Sequence, residues 1–187
     1  MDDDDYRRGR LSTHKKYDEA QAILAGNSLL TMAFNLLAQD SNPSLVELLS
    51  ILSGHEGLAG GQSLDVDTIE KKLNFKIIKK IHEQKTAKLF EFCLAAPFII
   101  SNKSQKEINM SRKYGKIIGT VFQIIDDVHD YENKDNEYIN ILNVMTKDDA
   151  IEKCYRYEVE ANSLREKLLP NKKNRMNDIL SFIINRK

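Results

Sequence analysis

Apolar residues recur at intervals of three and four along most of this chain, which is the spacing of one face of an α-helix. The first such stretch predicts a helix from near Asp18 to Leu37, and the Asn-Pro pair that follows is expected to end it. A second helix is predicted to begin at Ser44, because Ser44 and Glu47 form a capping-box pattern before an apolar run. No strand-type alternation of apolar and polar positions persists, so the pattern favours an all-α chain.

Four more helices are predicted from the same periodicity and from capping residues. They run from about Phe75 towards Pro97, from about Ser104 to Tyr131, from a cap formed by Thr146 and Asp149, and through Ile179, Phe182 and Ile183. The proline at the end of the third helix is expected to kink or end it. Several of these helices are apolar around most of their girth, as in the interior of a bundle. A chain of 187 residues can bury one sizeable core, so we predict one domain, residues 1–187.

Composition and charge argue against several classes of partner. Hydrophobic residues make up 41% of the chain and charged residues 30%, as in globular domains, and the formal net charge of +0 favours neither nucleic acid nor an anionic membrane. No apolar run is expected to approach the about 18 residues that span a bilayer, and the acidic N-terminus is unlike a secretory signal. Cys93 and Cys154 are interpreted as reduced packing residues, with a disulfide as the alternative. We therefore expect a cytoplasmic protein without a transmembrane segment or a nucleic-acid partner.

The sharpest chemical pattern is an acidic stretch in the fourth predicted helix. Gln123, Asp126, Asp127 and Asp130 follow one another at i, i+3, i+4 and i+7, which places all four on one helix face. Three carboxylates on one face repel each other unless a cation lies between them, and carboxylate oxygens are ligands that Mg²⁺ prefers. The alternative is a solvated acidic surface. The preceding residues are strongly apolar, so we expect the acids to emerge into a cavity and to bind metal.

Two further stretches place a charged residue or a pair of glycines within the helical pattern. Lys85 and Thr86 lie in the middle of the third predicted helix, where a lysine either extends to water or contacts an anion. Gly60 and Gly61 lie within a helical pattern shortly before Asp65. Paired glycines in a helix usually indicate close packing or a close backbone approach.

The N-terminus carries four aspartates from Asp2 onward, followed at once by Arg7, Arg8 and Arg10. One interpretation is a disordered charged tail, which is common at chain ends. The other is a site for Mg²⁺ and a diphosphate, with the arginines on the phosphate oxygens.

In this order, the stretches MDDDDYRRGR, AILAGNSLL, GGQ, HEQKT and FQIIDDVHD resemble the polyprenyl synthetases, the trans-type isoprenyl diphosphate synthases of the farnesyl and geranylgeranyl kind. The resemblance covers nearly the whole chain. It implies an all-α, single-domain helical bundle of the isoprenoid synthase type. It also implies Mg²⁺-dependent, head-to-tail condensation of isopentenyl diphosphate with an allylic diphosphate, and a homodimer. Because the match begins inside the first aspartate-rich motif, we expect the family's N-terminal third to be missing, with residues 1–17 holding the end of that motif and its Arg-rich loop.

The resemblance assigns a role to each site residue. The expected Mg²⁺ ligands are Asp2, from the first motif, and Asp126, Asp127 and Asp130, from the second. The expected catalytic residues, near the allylic diphosphate and the reacting alkene, are Lys85, Thr86, Gln123 and Phe122. The expected substrate-binding residues are Arg7 for the allylic diphosphate, Arg8 for isopentenyl diphosphate, and Lys85, Gln123 and Lys134.

Some positions depart from the family pattern and keep alternatives open. Asn27 stands where the family has an aspartate, only the end of the first motif is present, and the loop after the second motif is short. One alternative is a non-catalytic helical subunit or relic that associates with a complete synthase, and another is a helical protein that binds Mg²⁺ or a diphosphate without turnover. A heteromer in which a partner chain supplies the missing helices is a further alternative.

Overall fold

The computed structural model describes residues 3–40, 42–68, 73–131, 139–170, 176 and 178–186. The chain folds as two compact units, Met1–Val46 and Glu47–Lys187. The N-terminal elements are β1 (Tyr6–Arg7), β2 (Arg10–Leu11), α1 (Thr13–Lys16), α2 (Glu19–Gln39) and α3 (Pro43–Ser53). The next are α4 (Leu58–Thr68), α5 (Phe75–His82), a turn of π-helix (Glu83–Ala87), α6 (Lys88–Ile100) and α7 (Gln105–Tyr131). A 3₁₀ turn (Ile141–Asn143), α8 (Lys147–Leu168) and α9 (Ile179–Ile184) complete them, so the all-α prediction is confirmed.

The N-terminal unit opens with a hairpin that the helical periodicity did not predict. Tyr6 pairs with Leu11 and Arg7 with Arg10 in antiparallel register. The two residues of the turn, Arg8 and Gly9, have φ of 54° and 73°. Positive φ at both central positions is typical of the tight turns that join paired strands.

Helix α2 begins where the apolar spacing predicts and ends two residues beyond the predicted Leu37, and Asp18 caps it by accepting a hydrogen bond from the backbone N of Gln21 at 2.7 Å. By length and composition alone it could cross a membrane, which corrects the expectation that no apolar run approaches that length. None of its side chains is buried, and large apolar residues such as Leu29 are exposed. A core helix of a globular protein meets the same two criteria, so they do not by themselves place α2 in a bilayer.

Helix α3 begins one residue before the predicted start. Asn42, rather than Ser44, supplies the cap, because its Oδ1 accepts a hydrogen bond from the backbone N of Ser44 at 3.2 Å. Pro43 then occupies the first helical position, where its missing N–H costs nothing. The cap predicted for α8 is confirmed, since Thr146 Oγ1 accepts from the backbone N of Asp149 at 3.2 Å.

The core of the larger unit is built around α7, which packs against α6, α8 and α9. Its buried face is formed by Ile118, Val121, Ile124, Ile125 and Val128. Residues of α8 and α9 close this core, including the free thiol of Cys154, whose pKa burial raises to about 12. The acidic end of α7 is therefore fixed on a packed helix, as a precise binding site requires.

Helix α4 lies against the π turn at a point where there is no room for a side chain. A Cβ at Gly61 would meet the backbone N of Lys85 and lie 2.6 Å from the Cβ of Gln84. The close backbone approach that the glycine pair predicts is confirmed at Gly61. Pro97, which was expected to kink or end its helix, lies inside α6, and the helix continues to Ile100.

Candidate active site

The acidic stretch lies near the C-terminal end of α7, and its members differ in exposure. The side chain of Asp127 is 7% exposed, whereas that of Asp126 is 40% exposed. Asp130, one helical turn beyond Asp126, is exposed. The four polar residues therefore share a helix face, but they do not form a uniform acidic surface.

Both carboxylate oxygens of Asp127 accept hydrogen bonds. Its Oδ1 accepts from Nε2 of Gln123 at 3.1 Å, and its Oδ2 accepts from the backbone N of Ile141 at 2.7 Å. The ring Nε2 of His82 lies 3.0 Å from the same Oδ2. The side-chain amide of Asn140 donates to the backbone carbonyl of Asp127 at 2.7 Å. Buried polar groups are normally satisfied in this way, and here one residue ties together α5, α7 and the 3₁₀ turn.

The predicted lysine–threonine pair lies in the π turn, Glu83–Ala87. Single π turns within helices occur frequently at functional sites. Thr86 Oγ1 donates to Oε1 of Gln123 at 2.5 Å, so the turn and α7 are joined by predicted site residues. Lys85 Nζ lies 2.6 Å from Oδ2 of Asp65 on α4. The anion that Lys85 contacts is thus a carboxylate of the chain itself.

Asp126 has a basic partner that sequence reasoning missed. Nη2 of Arg186 lies 2.7 Å from Oδ1 of Asp126, and its guanidinium lies 4.6 Å from the centre of the Phe122 ring. Phe122 also packs beside Phe90, with ring centres 5.5 Å apart. A cation over an aromatic face is attracted by the ring quadrupole. An arginine in the polar segment after α9 carries no spacing pattern that would have identified it.

In the N-terminal unit, Arg7 lies in β1 and Arg8 in the adjoining turn. The acids that precede them contact a lysine from α1. Lys15 Nζ lies 3.3 Å from Asp3 and 3.2 Å from Asp5. The hydrogen bond from Lys15 lowers the pKa of Asp3 below its usual value.

The residues predicted to hold Mg²⁺ differ in how well they suit that role. Among the residues described, no group of three or more His, Cys, Asp or Glu side chains is placed to hold a metal ion. Mg²⁺ in proteins commonly takes one or two carboxylates together with water and phosphate oxygens. Asp126 and Asp130 are more exposed than Asp127, both of whose oxygens accept hydrogen bonds from the protein, and Oδ1 of Asp126 is itself paired with Arg186. Asp2, and the substrate-binding prediction Lys134, lie outside the described residues.

Solved structures with this fold are isoprenoid synthases. A farnesyl/geranylfarnesyl (FPP/GFPP) diphosphate synthase from Zymomonas mobilis superposes with a TM-score of 0.88 at 28% identity, covering 98% of this chain and 68% of that one. A geranyltransferase from Helicobacter pylori, complexed with magnesium and isoprenyl diphosphate, gives a TM-score of 0.80 at 27% identity, covering 99% of this chain and 65% of that one. The described fold is therefore the isoprenoid synthase bundle.

Sequence comparison then defines the family. The model of the polyprenyl synthetase family matches residues 1–154. The farnesyl diphosphate synthase of Micrococcus luteus is 42% identical over 137 residues, which is 71% of this chain and 47% of that protein. A heterodimeric geranylgeranyl pyrophosphate synthase large subunit of Arabidopsis thaliana is 39% identical over 145 residues, which is 73% of this chain and 38% of that protein. The chain belongs to the polyprenyl synthetase family, and it spans less than half the length of these two relatives.

Proposed function

We propose that this chain is part of a Mg²⁺-dependent prenyl diphosphate synthase of the farnesyl or geranylgeranyl type. The reaction would join isopentenyl diphosphate head to tail with an allylic diphosphate. The observation that carries the proposal is the contact between the π turn and α7, where Thr86 donates to Gln123 and the partly exposed Asp126 lies one turn further along the helix. The names of the relatives supply the reaction class.

Within this proposal, Asp126 and Asp130 would hold Mg²⁺, together with Asp2 of the first motif. When bound, Mg²⁺ would neutralise the charge that develops on the leaving diphosphate. Lys85 would turn from Asp65 towards the same diphosphate, because an ammonium group forms charge-assisted hydrogen bonds with phosphate oxygens as well as with carboxylates.

The remaining residues would act on the organic part of the reaction. Breaking the allylic C–O bond leaves a cation on the prenyl chain, which the isopentenyl double bond attacks before a proton is lost. Phe122 would face this cation, and its ring already has the guanidinium of Arg186 over it in the structure. Arg7 would bind the allylic diphosphate and Arg8 the isopentenyl diphosphate, which holds the two reactants in line. Lys134 would also bind substrate.

A second candidate function is a subunit that associates with a complete synthase chain. The similarity to a large subunit of a heterodimeric enzyme favours it, as does the exposed apolar surface of α2. Large exposed apolar patches commonly mark protein contacts. A homodimer would also cover such a surface, and we propose a homodimer or such a heteromer, located in the cytoplasm.

The test is a turnover assay with the chain, Mg²⁺, labelled isopentenyl diphosphate and each of dimethylallyl, geranyl and farnesyl diphosphate. A labelled product is expected with at least one starter, and Asp126→Asn is expected to abolish it. A folded chain that forms no product and shows no Mg²⁺-dependent binding of geranyl diphosphate would refute the synthase proposal. Binding without product, together with co-purification of a complete synthase, would favour the subunit.

A further inference from the structure

The buried carboxylate of Asp127 is satisfied by the protein on every side. It accepts from Gln123 and from the backbone N of Ile141, and the ring Nε2 of His82 lies 3.0 Å from its Oδ2. Moving this carboxylate to a metal would leave buried donors without an acceptor, which is unfavourable. Asp126 differs in that its side chain is 40% exposed, against 7% for Asp127, and its partner is the side chain of Arg186.

His82 has a single role in this network. Its side chain is 4% exposed, and its Nε2 lies 3.0 Å from Asp127 Oδ2. A proton on Nε2 would let the His82 ring donate a hydrogen bond to this carboxylate oxygen. The other ring nitrogen, Nδ1, has no hydrogen-bond partner among the residues described. The contact between Nε2 and Asp127 Oδ2 is therefore the polar contact that orients the His82 ring inside the core.

The network reaches predicted substrate contacts through Gln123. The amide nitrogen of Gln123 donates to Asp127, and its amide oxygen accepts from the hydroxyl of Thr86. Because Oδ1 of Asp127 accepts from the amide nitrogen of Gln123, the amide oxygen is the end that faces Thr86. The order His82, Asp127, Gln123, Thr86 thus connects α5 to the π turn through α7.

We propose that Asp127 is a positioning residue rather than a metal ligand, and that His82 holds it in place so that Gln123 and Thr86 face the diphosphate. This inference rests on the proposed synthase function. It deepens that function by separating the two adjacent aspartates of one motif into a ligand, Asp126, and an anchor, Asp127. A buried partner that orients a binding group commonly affects affinity about 10–100-fold when it is removed.

The first experiment compares His82→Leu with His82→Gln, since glutamine can place an N–H near the position of Nε2 and leucine cannot. Binding of inorganic diphosphate in the presence of Mg²⁺ is measured by calorimetry on the whole chain. His82→Leu is expected to weaken binding about tenfold, whereas His82→Gln stays within about threefold of the wild type. Equal binding by the wild type and a folded His82→Leu variant would overturn the inference while leaving the proposed function intact. Absence of Mg²⁺-dependent binding by the folded wild type would refute the proposed function and this inference with it.

The second experiment needs no variant and therefore remains decisive if His82→Leu does not fold. Long-range proton–nitrogen NMR of the wild type reports the proton on His82 Nε2 before and after saturation with Mg²⁺ and inorganic diphosphate. Persistence of that proton signal is expected if Asp127 stays with His82. Loss of the signal on saturation would mean that Asp127 has moved to the metal, which would overturn the inference.

Discussion

Gly61 allows α4 to lie directly against the π turn, and Gly61→Ala tests this contact. The added Cβ would meet backbone and Cβ atoms of Gln84 and Lys85, none of which is the movable end of a side chain. Restoring the 2.6 Å approach to Gln84 Cβ to an ordinary contact of 3.4 Å requires a displacement of at least about 0.8 Å, and the backbone N of Lys85 lies closer still. Overpacking of this kind typically costs about 1–3 kcal/mol.

For a chain of this length, 187 residues, that cost corresponds to a fall in Tm of about 2–12 °C. The same displacement would separate Asp65 from Lys85, because Asp65 lies one turn after Gly61 on α4. Thermal unfolding followed by circular dichroism measures the fall. Binding of inorganic diphosphate with Mg²⁺, measured on the folded variant, reports the altered position of Lys85.

Gly26→Ala is the matched control, because a Cβ at Gly26 has no heavy atom within 4 Å. Replacing a glycine inside a helix by alanine in open space stabilises by about 0.5–1 kcal/mol, so the Tm should be unchanged or raised. If Gly61→Ala unfolds at the wild-type temperature, the two backbones are not in contact and the reasoning fails.

Three other predictions concern the fold. Glu91→Gln should lower the free energy of unfolding, measured in urea, by about 2–3 kcal/mol, because it removes the buried counter-charge of Lys88 and Arg112. An unchanged urea midpoint would contradict this. Thr146→Ala should cost about 1 kcal/mol by removing the cap of α8, and an unchanged urea midpoint would argue against that cap. Burial raises the pKa of both thiols, that of Cys154 to about 12, and a raised pKa leaves less reactive thiolate at pH 8. Mass spectrometry after iodoacetamide treatment should find slow labelling at Cys93, and at Cys154 only after denaturation; early labelling of Cys154 would show that it is accessible.

The local parts of the structure could be predicted from sequence because their causes lie within a few residues. The cap at Thr146 and the shared face of the acidic stretch depend only on spacing along one helix. The end of α6 could not be predicted in this way. Ile99, two residues beyond Pro97, is buried, and packing of this kind outweighs the local preference of proline to end a helix.

The different surroundings of Asp126 and Asp127 also could not be predicted from the sequence. The spacing gives Asp126 and Asp127 the same predicted role. It does not reveal which of the two carboxylates accepts hydrogen bonds from other segments of the chain. His82 and Ile141, which hold Asp127, are far from it along the chain, and Arg186 lies 60 residues beyond Asp126. Such contacts arise only once α5, α7 and α9 have packed together.

The π turn has a consequence for insertions and deletions. Each residue of an α-helix turns the chain by about 100°, so removing one residue from Glu83–Ala87 would favour an uninterrupted helix from α5 through α6. If the core residues of α6 then stayed buried, Lys85 and Thr86 would have to rotate away from their partners, Asp65 and Gln123. This five-residue segment should therefore tolerate no change in its length.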